Sequence, residues 1–548
     1  MAVDLRKETY SALSRRPAQI MQIPIKEDVI VPDSKPDVGR ILQTGVRFAP
    51  EESTLEGQRI RFGGKLEFTV LYLGDGDSCE VHSMKTSVTV DDFLNVDGLP
   101  PEADGRIRYE LKNTIENVRT TLLNSRKLNL SALLEMEAVL TWCQDTPMVM
   151  DVQGIDGIQI QTHGMPMRRL MADKDEKFIV KDEIKIASSS PNIGEILWWD
   201  ATIKNKEQRI ADDKVTLKGD IGVCVLYTGM EGGGQVEFLE SMLPFNGIIE
   251  CTGVKPEMMA QLKLSIVKCF LQIGQDQDGE DRVLDAEIVC QCGLKVYEET
   301  QQDVISDLYA PAWDLDISKK ICPVQRFIFC NQMKAGITEV LSVPESAPDI
   351  LQIFYASARP KLDDYTILED QIQVEGVLYV KVFYLAADDH CPISSFSEIV
   401  PFSQKIEARG IRPDHLVEID PFLESVSGAM QGGREVEIRA NLMLDACVVE
   451  EKDIALLTDV SAKQREPEEL DSLPSMAVYL VQRGDDLWSI AKHYNTTMDT
   501  VAKLNSIDPQ GTLKEGTPLI MVKEADRKST RLNSSHLRIW YGGICVKK

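Results

Sequence analysis

Three stretches decide the reading of this chain: FGGKLEFTVLYLG (62–74), LKGDIGVCVLYTG (217–229) and VEGVLYVKVFYLA (374–386). In the first, Leu66, Phe68, Val70 and Tyr72 alternate with Lys65, Glu67, Thr69 and Leu71. The others repeat this with Ile221, Val223, Val225 and Tyr227, and with Leu378, Val380, Val382 and Tyr384. Period 2 puts one set on the buried face of a strand. Turn residues follow each stretch, GDGD (74–77), GMEGGG (229–234) and AADD (386–389), so each predicts a hairpin. Gly64, Gly219 and Gly376 are spaced by 155 and 157 residues, and Tyr72, Tyr227 and Tyr384 keep the same spacing.

A second motif recurs upstream at those offsets: VPDSKPDVGRIL (31–42), IASSSPNIGEIL (186–197) and VPESAPDILQIF (343–354). Pro36, Pro191 and Pro348 stand before Asp, Asn and Asp. Two motifs holding one spacing across three copies mark three homologous units of about 150 residues. Each copy closes on two further alternating runs around a polar turn, at Asn124-Ser125-Arg126, 276–281 and Gly432-Gly433. The expected fold is mainly β: three tandem antiparallel, sandwich-like domains over 1–160, 161–318 and 319–460. Proline fixing φ and Asp at a helix N-terminus also predict one short helix after each Pro-Asp motif.

A polar, proline-broken stretch follows, SAKQREPEELDSLPSM (461–476), and predicts a flexible linker over 461–477. Beyond it, residues 478–523 predict β-α-α-β. Asp485 is expected to cap a helix with Leu487, Ile490, Ala491 and Tyr494 on one face. Thr497 is expected to cap a second helix, with Val501 and Leu504 facing inward. The last stretch, 527–548, is basic, Ser/Asn-rich and aperiodic. It resembles a translated sequencing-adapter tail and is set aside from the fold.

Charge narrows the function. Of 60 basic and 87 acidic residues, the first 477 positions carry 49 and 80, a net −31. Such a body repels phosphate backbones and anionic lipid, and it suits a basic protein partner. No run of about 18 apolar residues predicts a membrane span, and no apolar segment near the start predicts a secretory signal. Twelve cysteines without a C-x-x-C pair predict reduced, mostly buried thiols and no disulfide. No H-E-x-x-H, G-x-S-x-G or Walker A motif occurs, and Cys290 and Cys292 on one strand face lack a second pair for zinc. The expectation is no catalytic residue, no metal and no cofactor.

The repeated Pro-Asp-apolar motif, the Gly…Tyr strand and the final alternating pair resemble the SPOCS domain of spore-coat assembly proteins. Tyr479, Val481, Gly484-Asp485, Leu487, Trp488, Ile490-Ala491, Tyr494, Asn505, Gly516 and Leu519-Ile520 resemble LysM. Together they resemble SipL-type coat morphogenesis proteins. Copy two departs from the motif with Pro191-Asn192, and the LysM-like module departs with Asp486 in place of a small hydroxyl residue and no proline after Ile520.

The resemblance implies a shallow groove that takes N-acetylglucosamine polymers. One wall would be Gly484, Asp485, Asp486 and Leu487, the other Asn505, Ser506 and Ile507, with Trp488 beside the core stripe as either an exposed contact anchor or a lid on the core. It also implies a non-enzymatic assembly protein in the mother-cell cytoplasm at the forespore surface, with the coat basement-layer morphogenetic ATPase as LysM partner. A peptidoglycan- or cortex-binding wall protein is the alternative.

Overall fold

The computed structural model describes residues 3–17, 20–76, 80–96, 107–230, 236–388, 393–466, 476–509 and 511–522. The chain is built almost wholly of antiparallel strands, as the alternation predicts. The second repeat shows the plan most simply. Strands β10 (Ile193–Ala211), β11 (Lys214–Gly229) and β12 (Val236–Glu250) form one sheet. Strands β13 (Met259–Gly274), β14 (Val283–Tyr309) and β9 (Gln159–Lys185) form the other. The two faces share one core, which includes Ile221, Val223, Val225, Tyr227, Ile288 and Leu294.

The third repeat copies this with β16 (Ile350–Leu368), β17 (Gln371–Ala386) and β18 (Ile393–Glu407) over β15 (Trp313–Ser342), β20 (Glu435–Gln464) and β19 (Leu416–Gly432). The first has β3 (Val38–Pro50), β5 (Arg59–Gly74) and β6 (Val81–Asn95), with short β4 (Thr54–Glu56) also on β5. Its second sheet centres on β8 (Lys127–Gln153), paired with β7 (Ile107–Asn124). The edge held by one strand in β9 and β15 is split here. β1 (Asp4–Pro17) pairs with Val139–Gln153 and β2 (Met21–Ile30) pairs with Lys127–Met136.

Gly64, Gly219 and Gly376 each stand sixth in their strand, where a ring crosses. A Cβ on Gly219 would lie 2.7 Å from the Phe245 ring, and one on Gly376 would lie 2.8 Å from the Phe402 ring and against the Lys361 carbonyl. The tyrosines are fully buried and reach back to the first motif. Tyr72 Oη donates to the Pro36 carbonyl at 3.2 Å, and Tyr384 Oη to that of Pro348 at 3.0 Å.

The Pro-Asp motif does not start a helix. The chain turns at 33–35 and runs directly into β3, with the same geometry in the other copies. The acidic or amide side chain is held instead by an arginine of the last hairpin turn. Arg126 Nη1 donates to Asp37 at 3.0 Å, Arg282 to Asn192 at 2.9 Å and Arg434 to Asp349 at 2.6 Å. The same guanidiniums bind carbonyls of the motif, including those of Val31, Ala187 and Pro344. Asn192 therefore keeps the acceptor role in copy two. A helix would have turned these carbonyls into its own ladder.

The long strands overrun their sandwiches, and the expected boundaries at 160/161, 318/319 and 460/461 fall inside β9, β15 and β20. The overrunning halves pair as three ribbons, β1 with β8, β9 with β14 and β15 with β20. The ribbons meet in a hub. Repeat-related residues stack there, Val149 with Ile305 and Leu457, and Val152 with Leu308 and Val460. Met148, Val304 and Leu456 form the next level with Tyr10 and Cys322. The first four linker residues, 461–464, belong to β20. The rest of that linker from 467 to 475, and the set-aside tail, lie outside the described residues.

The thiol expectation needs one correction. Cys330 and Cys447 are disulfide-bonded, because the antiparallel register of β15 and β20 sets them directly opposite with Cα atoms 4.2 Å apart. Cys290 and Cys292 are buried free thiols in the second core, and burial pushes their pKa up to about 11 and about 12.

Candidate functional site

The C-terminal module pairs β21 (Met476–Leu480) with β22 (Pro518–Val522), and carries α1 (Leu487–His493) and α2 (Met498–Asn505) between them. Its core is Val481, Leu487, Ile490, Ala491, Val501 and Leu519, with Tyr494 partly buried. Thr497 caps α2 as expected, accepting from Thr500 N. Leu504 does not face inward. It is exposed, and Ala502 takes the buried position beside Val501.

The expected groove residues have divided roles. Gly484 makes the entry turn at φ 92°, which starts α1 one residue later than the pattern implies. Asp486, not Asp485, is therefore the N-cap, accepting from Ser489 N at 2.6 Å. Asp485 closes the turn instead, accepting from Gln482 N at 2.8 Å and Tyr479 Oη at 2.7 Å. On the other wall, Asn505 is a strut. It accepts from Ile520 N at 2.7 Å and donates to the Ile520 and Val501 carbonyls. Ser506 ends α2 in the left-handed region at φ 53°, and Ile507 packs partly on the core. Gly484, Asp486 and Ser506 are exposed, and Leu487 is core.

Trp488 is not an exposed anchor. It is 8% exposed and faces the tip of the second repeat's ribbon. Its indole Nε1 donates to Asp307 at 2.8 Å, and its ring meets Tyr309 edge-on, centroids 4.9 Å apart. Lys492 Nζ also reaches Asp307, at 2.7 Å, and Tyr309 Oη donates to the Thr496 carbonyl at 2.9 Å. Arg465 adds a bond to Asn495 at 2.6 Å. Burial raises the Asp307 pKa, but the bonds from Lys492 and Trp488 outweigh it and leave the carboxyl below its ordinary value.

The choice of ribbon follows from the repeats. Asp151 and Asp459 occupy the positions equivalent to Asp307, but Tyr309 is replaced there by Gln153 and Ser461. Asp459 is engaged by Lys7. Only the second ribbon offers both the carboxylate and the ring. Sequence reasoning missed this pair, because neither residue stands out within its own copy. The signal available was the break in the repeat at 309.

The model of the SipL SPOCS domain matches residues 37–123, 192–273 and 349–431, and that of the LysM domain matches 479–521. The chain has the SipL-type architecture of three SPOCS domains and one LysM domain. No curated protein and no solved structure matches it significantly.

Each SPOCS match begins at the arginine-held residue, Asp37, Asn192 or Asp349, and stops before the hairpin turn that supplies the arginine. The domain content marks a sporulation-related protein whose domains are of binding or structural types. Among the described residues no helix is long and apolar enough to cross a membrane.

Proposed function

We propose that this chain is a non-enzymatic spore-coat assembly protein. It links the coat basement-layer ATPase to the forespore surface from the mother-cell cytoplasm, with LysM as the partner-binding module. The observation that carries this reading is the joining of three SPOCS domains to one LysM domain that is docked by its α1 face. Docking consumes Trp488 and Lys492, while Gly484, Asp486 and Ser506 stay exposed. The accessible recognition surface is thus the pair of loops around 484–486 and 506–507. Asp486 brings a carboxylate there, which suits a donor-rich protein segment.

A second reading keeps the same loops as a glycan groove, and the LysM match favours it. Titrating the whole protein against the purified coat ATPase and against peptidoglycan separates the two. Binding to the ATPase that weakens at least tenfold with Asp486→Lys supports the assembly reading. Retention on peptidoglycan without ATPase binding establishes the wall-binding reading instead.

A further inference from the structure

The first sheets of the three repeats face one another across a crevice of about 1260 Å³, lined by all three copies. A second crevice of about 890 Å³ adjoins it and shares Arg47, Trp199 and Arg359 with it. Repeat two supplies the knot between them. Trp198 lies over Gly45 of repeat one and against Phe383 of repeat three, with ring centroids 5.3 Å apart in the second contact. Arg47 stacks 3.6 Å over Trp199 and donates to Asp200 at 3.0 Å, and Tyr355 Oη reaches the same carboxylate at 3.4 Å.

The repeat makes one charge here conspicuous. Arg47 stands tenth in β3, and Arg359 stands tenth in β16. Arg47 is neutralised by Asp200, but the positions equivalent to Asp200 are Gly45 and Ser357. Arg359 therefore has no carboxylate from a related position, and among the described residues it has no ion pair. Lys381 joins it. The register sets Lys381 opposite Ser357 and Tyr379 opposite Arg359, so the two cations are diagonal neighbours on one face.

Lys381 is also peculiar to its copy, since Thr69 and Cys224 hold the equivalent positions. Burial, and then the charge of Arg359, bring its pKa down to about 8. Lys361 and Glu116 on the same wall already satisfy each other at 2.6 Å. A chain of net charge −27 thus sets Arg359, which has no ion pair among the described residues, diagonal to Lys381, whose ammonium lies 5.0 Å from the Trp198 ring centroid, on the wall of this crevice.

We propose that this crevice binds an acidic segment of a partner protein, with Arg359 and Lys381 receiving its carboxylates. A guanidinium fork beside an ammonium matches carboxylate oxygens. The volume, and apolar side chains set among the polar ones of the walls, select a peptide over a free oxyanion. Ile399 in the first crevice is 57% exposed and Phe270 in the second is 58% exposed, each an unfilled apolar contact for side chains flanking the acidic residues.

The test uses the whole protein and a fluorescein-labelled peptide of three Glu-Leu-Glu-Gly units, followed by anisotropy. A matched peptide with Gln for Glu and free inorganic phosphate are the comparisons. The Glu peptide should bind at least tenfold tighter than the Gln peptide. The pair Arg359→Thr and Lys381→Thr, which installs the residues of related repeats, should remove that difference while leaving the melting temperature unchanged. Should the double variant unfold, the two peptides on the parent protein still decide. Absence of Glu-peptide binding, equal binding of both peptides, undiminished binding to a folded double variant, or phosphate binding as tight as the peptide's would each overturn the proposal.

Discussion

Replacing Asp307 by Ala removes the acceptor on which LysM is docked, and the structure sets the size of the effect. The indole of Trp488 loses a 2.8 Å bond to a charged oxygen, worth about 1.5–3 kcal/mol. Lys492 loses an ion pair in which the two side chains are 41% and 27% exposed, so solvent screening leaves it about 0–1 kcal/mol. The edge-on contact of Tyr309 with Trp488 and its bond to the Thr496 carbonyl remain. Docking should weaken by about 1.5–4 kcal/mol, roughly 10- to 900-fold. Protein carrying 5-fluorotryptophan gives each indole its own fluorine resonance, and Trp488→Phe assigns the relevant one. In a urea titration the Trp488 resonance of Asp307→Ala should move to its undocked position at clearly lower denaturant than in the parent, before the body unfolds. Asp307→Asn, which keeps an oxygen for the indole, should fall between. An unchanged midpoint for Asp307→Ala would refute the assignment of Asp307 as the docking acceptor.

Four further outcomes are expected. Gly376→Ala should cost about 1–3 kcal/mol by denaturant unfolding, because its Cβ meets the Lys361 carbonyl and the Phe402 ring, while Gly293→Ala, with open space around it, should cost less. Arg434→Ala should destabilise the third SPOCS domain by about 1–3 kcal/mol, and Arg434→Lys should recover only part, since one ammonium cannot reach Asp349 and the Pro344 and Ala347 carbonyls together. Burial raises the Glu450 pKa, but Lys452 and Arg326 outweigh it and hold it at about 2, below the ordinary 4.5. Its contribution is therefore complete above about pH 4.5 and lost as pH falls towards 2, so acid unfolding curves of the parent and Glu450→Gln should converge across that window. Mass spectrometry of protein alkylated without reductant should recover Cys330 linked to Cys447, and free thiols at both would contradict the cross-strand pairing.

What the sequence revealed depended on how local the signal was. Alternation around Tyr72, Tyr227 and Tyr384 is local, and the strands lie where it puts them. Repeat spacing is long-range but countable, so the three sandwiches were also legible. The Pro-Asp motif misled because its partner is distant. Arg126 stands 89 residues beyond Asp37, and a short Pro-Asp segment read alone satisfies the rules for a helix start. The hub is not legible in the sequence because its strands continue past polar residues that read as strand ends, as β20 does through Ser461 and Lys463. Within LysM, the two helices followed from spacing, with Thr497 capping the second as expected and Asp486 in place of Asp485 capping the first. Trp488 could not be assigned from spacing, since its burial is supplied by Asp307 and Tyr309 of another domain.

Three copies of one domain would by themselves offer three equal surfaces, and this chain avoids that at a few positions. Tyr309 replaces the polar residues of the other two ribbon tips, so a single LysM has one docking place. Trp198, Trp199 and Asp200 occur in copy two alone, and they reach both neighbours. Asp200 can neutralise one of two equivalent arginines, which leaves Arg359 beside Lys381. The repeated residues, from the Gly-Tyr strand to the Asp-Arg clamp, serve folding, because each copy must close its own core. The residues that break the repeat gather where copies meet one another or meet LysM. Exchanging Tyr309 for the Gln of the first ribbon should therefore leave the sandwiches intact and release LysM, a separation that a purely structural role for Tyr309 within β14 would not produce.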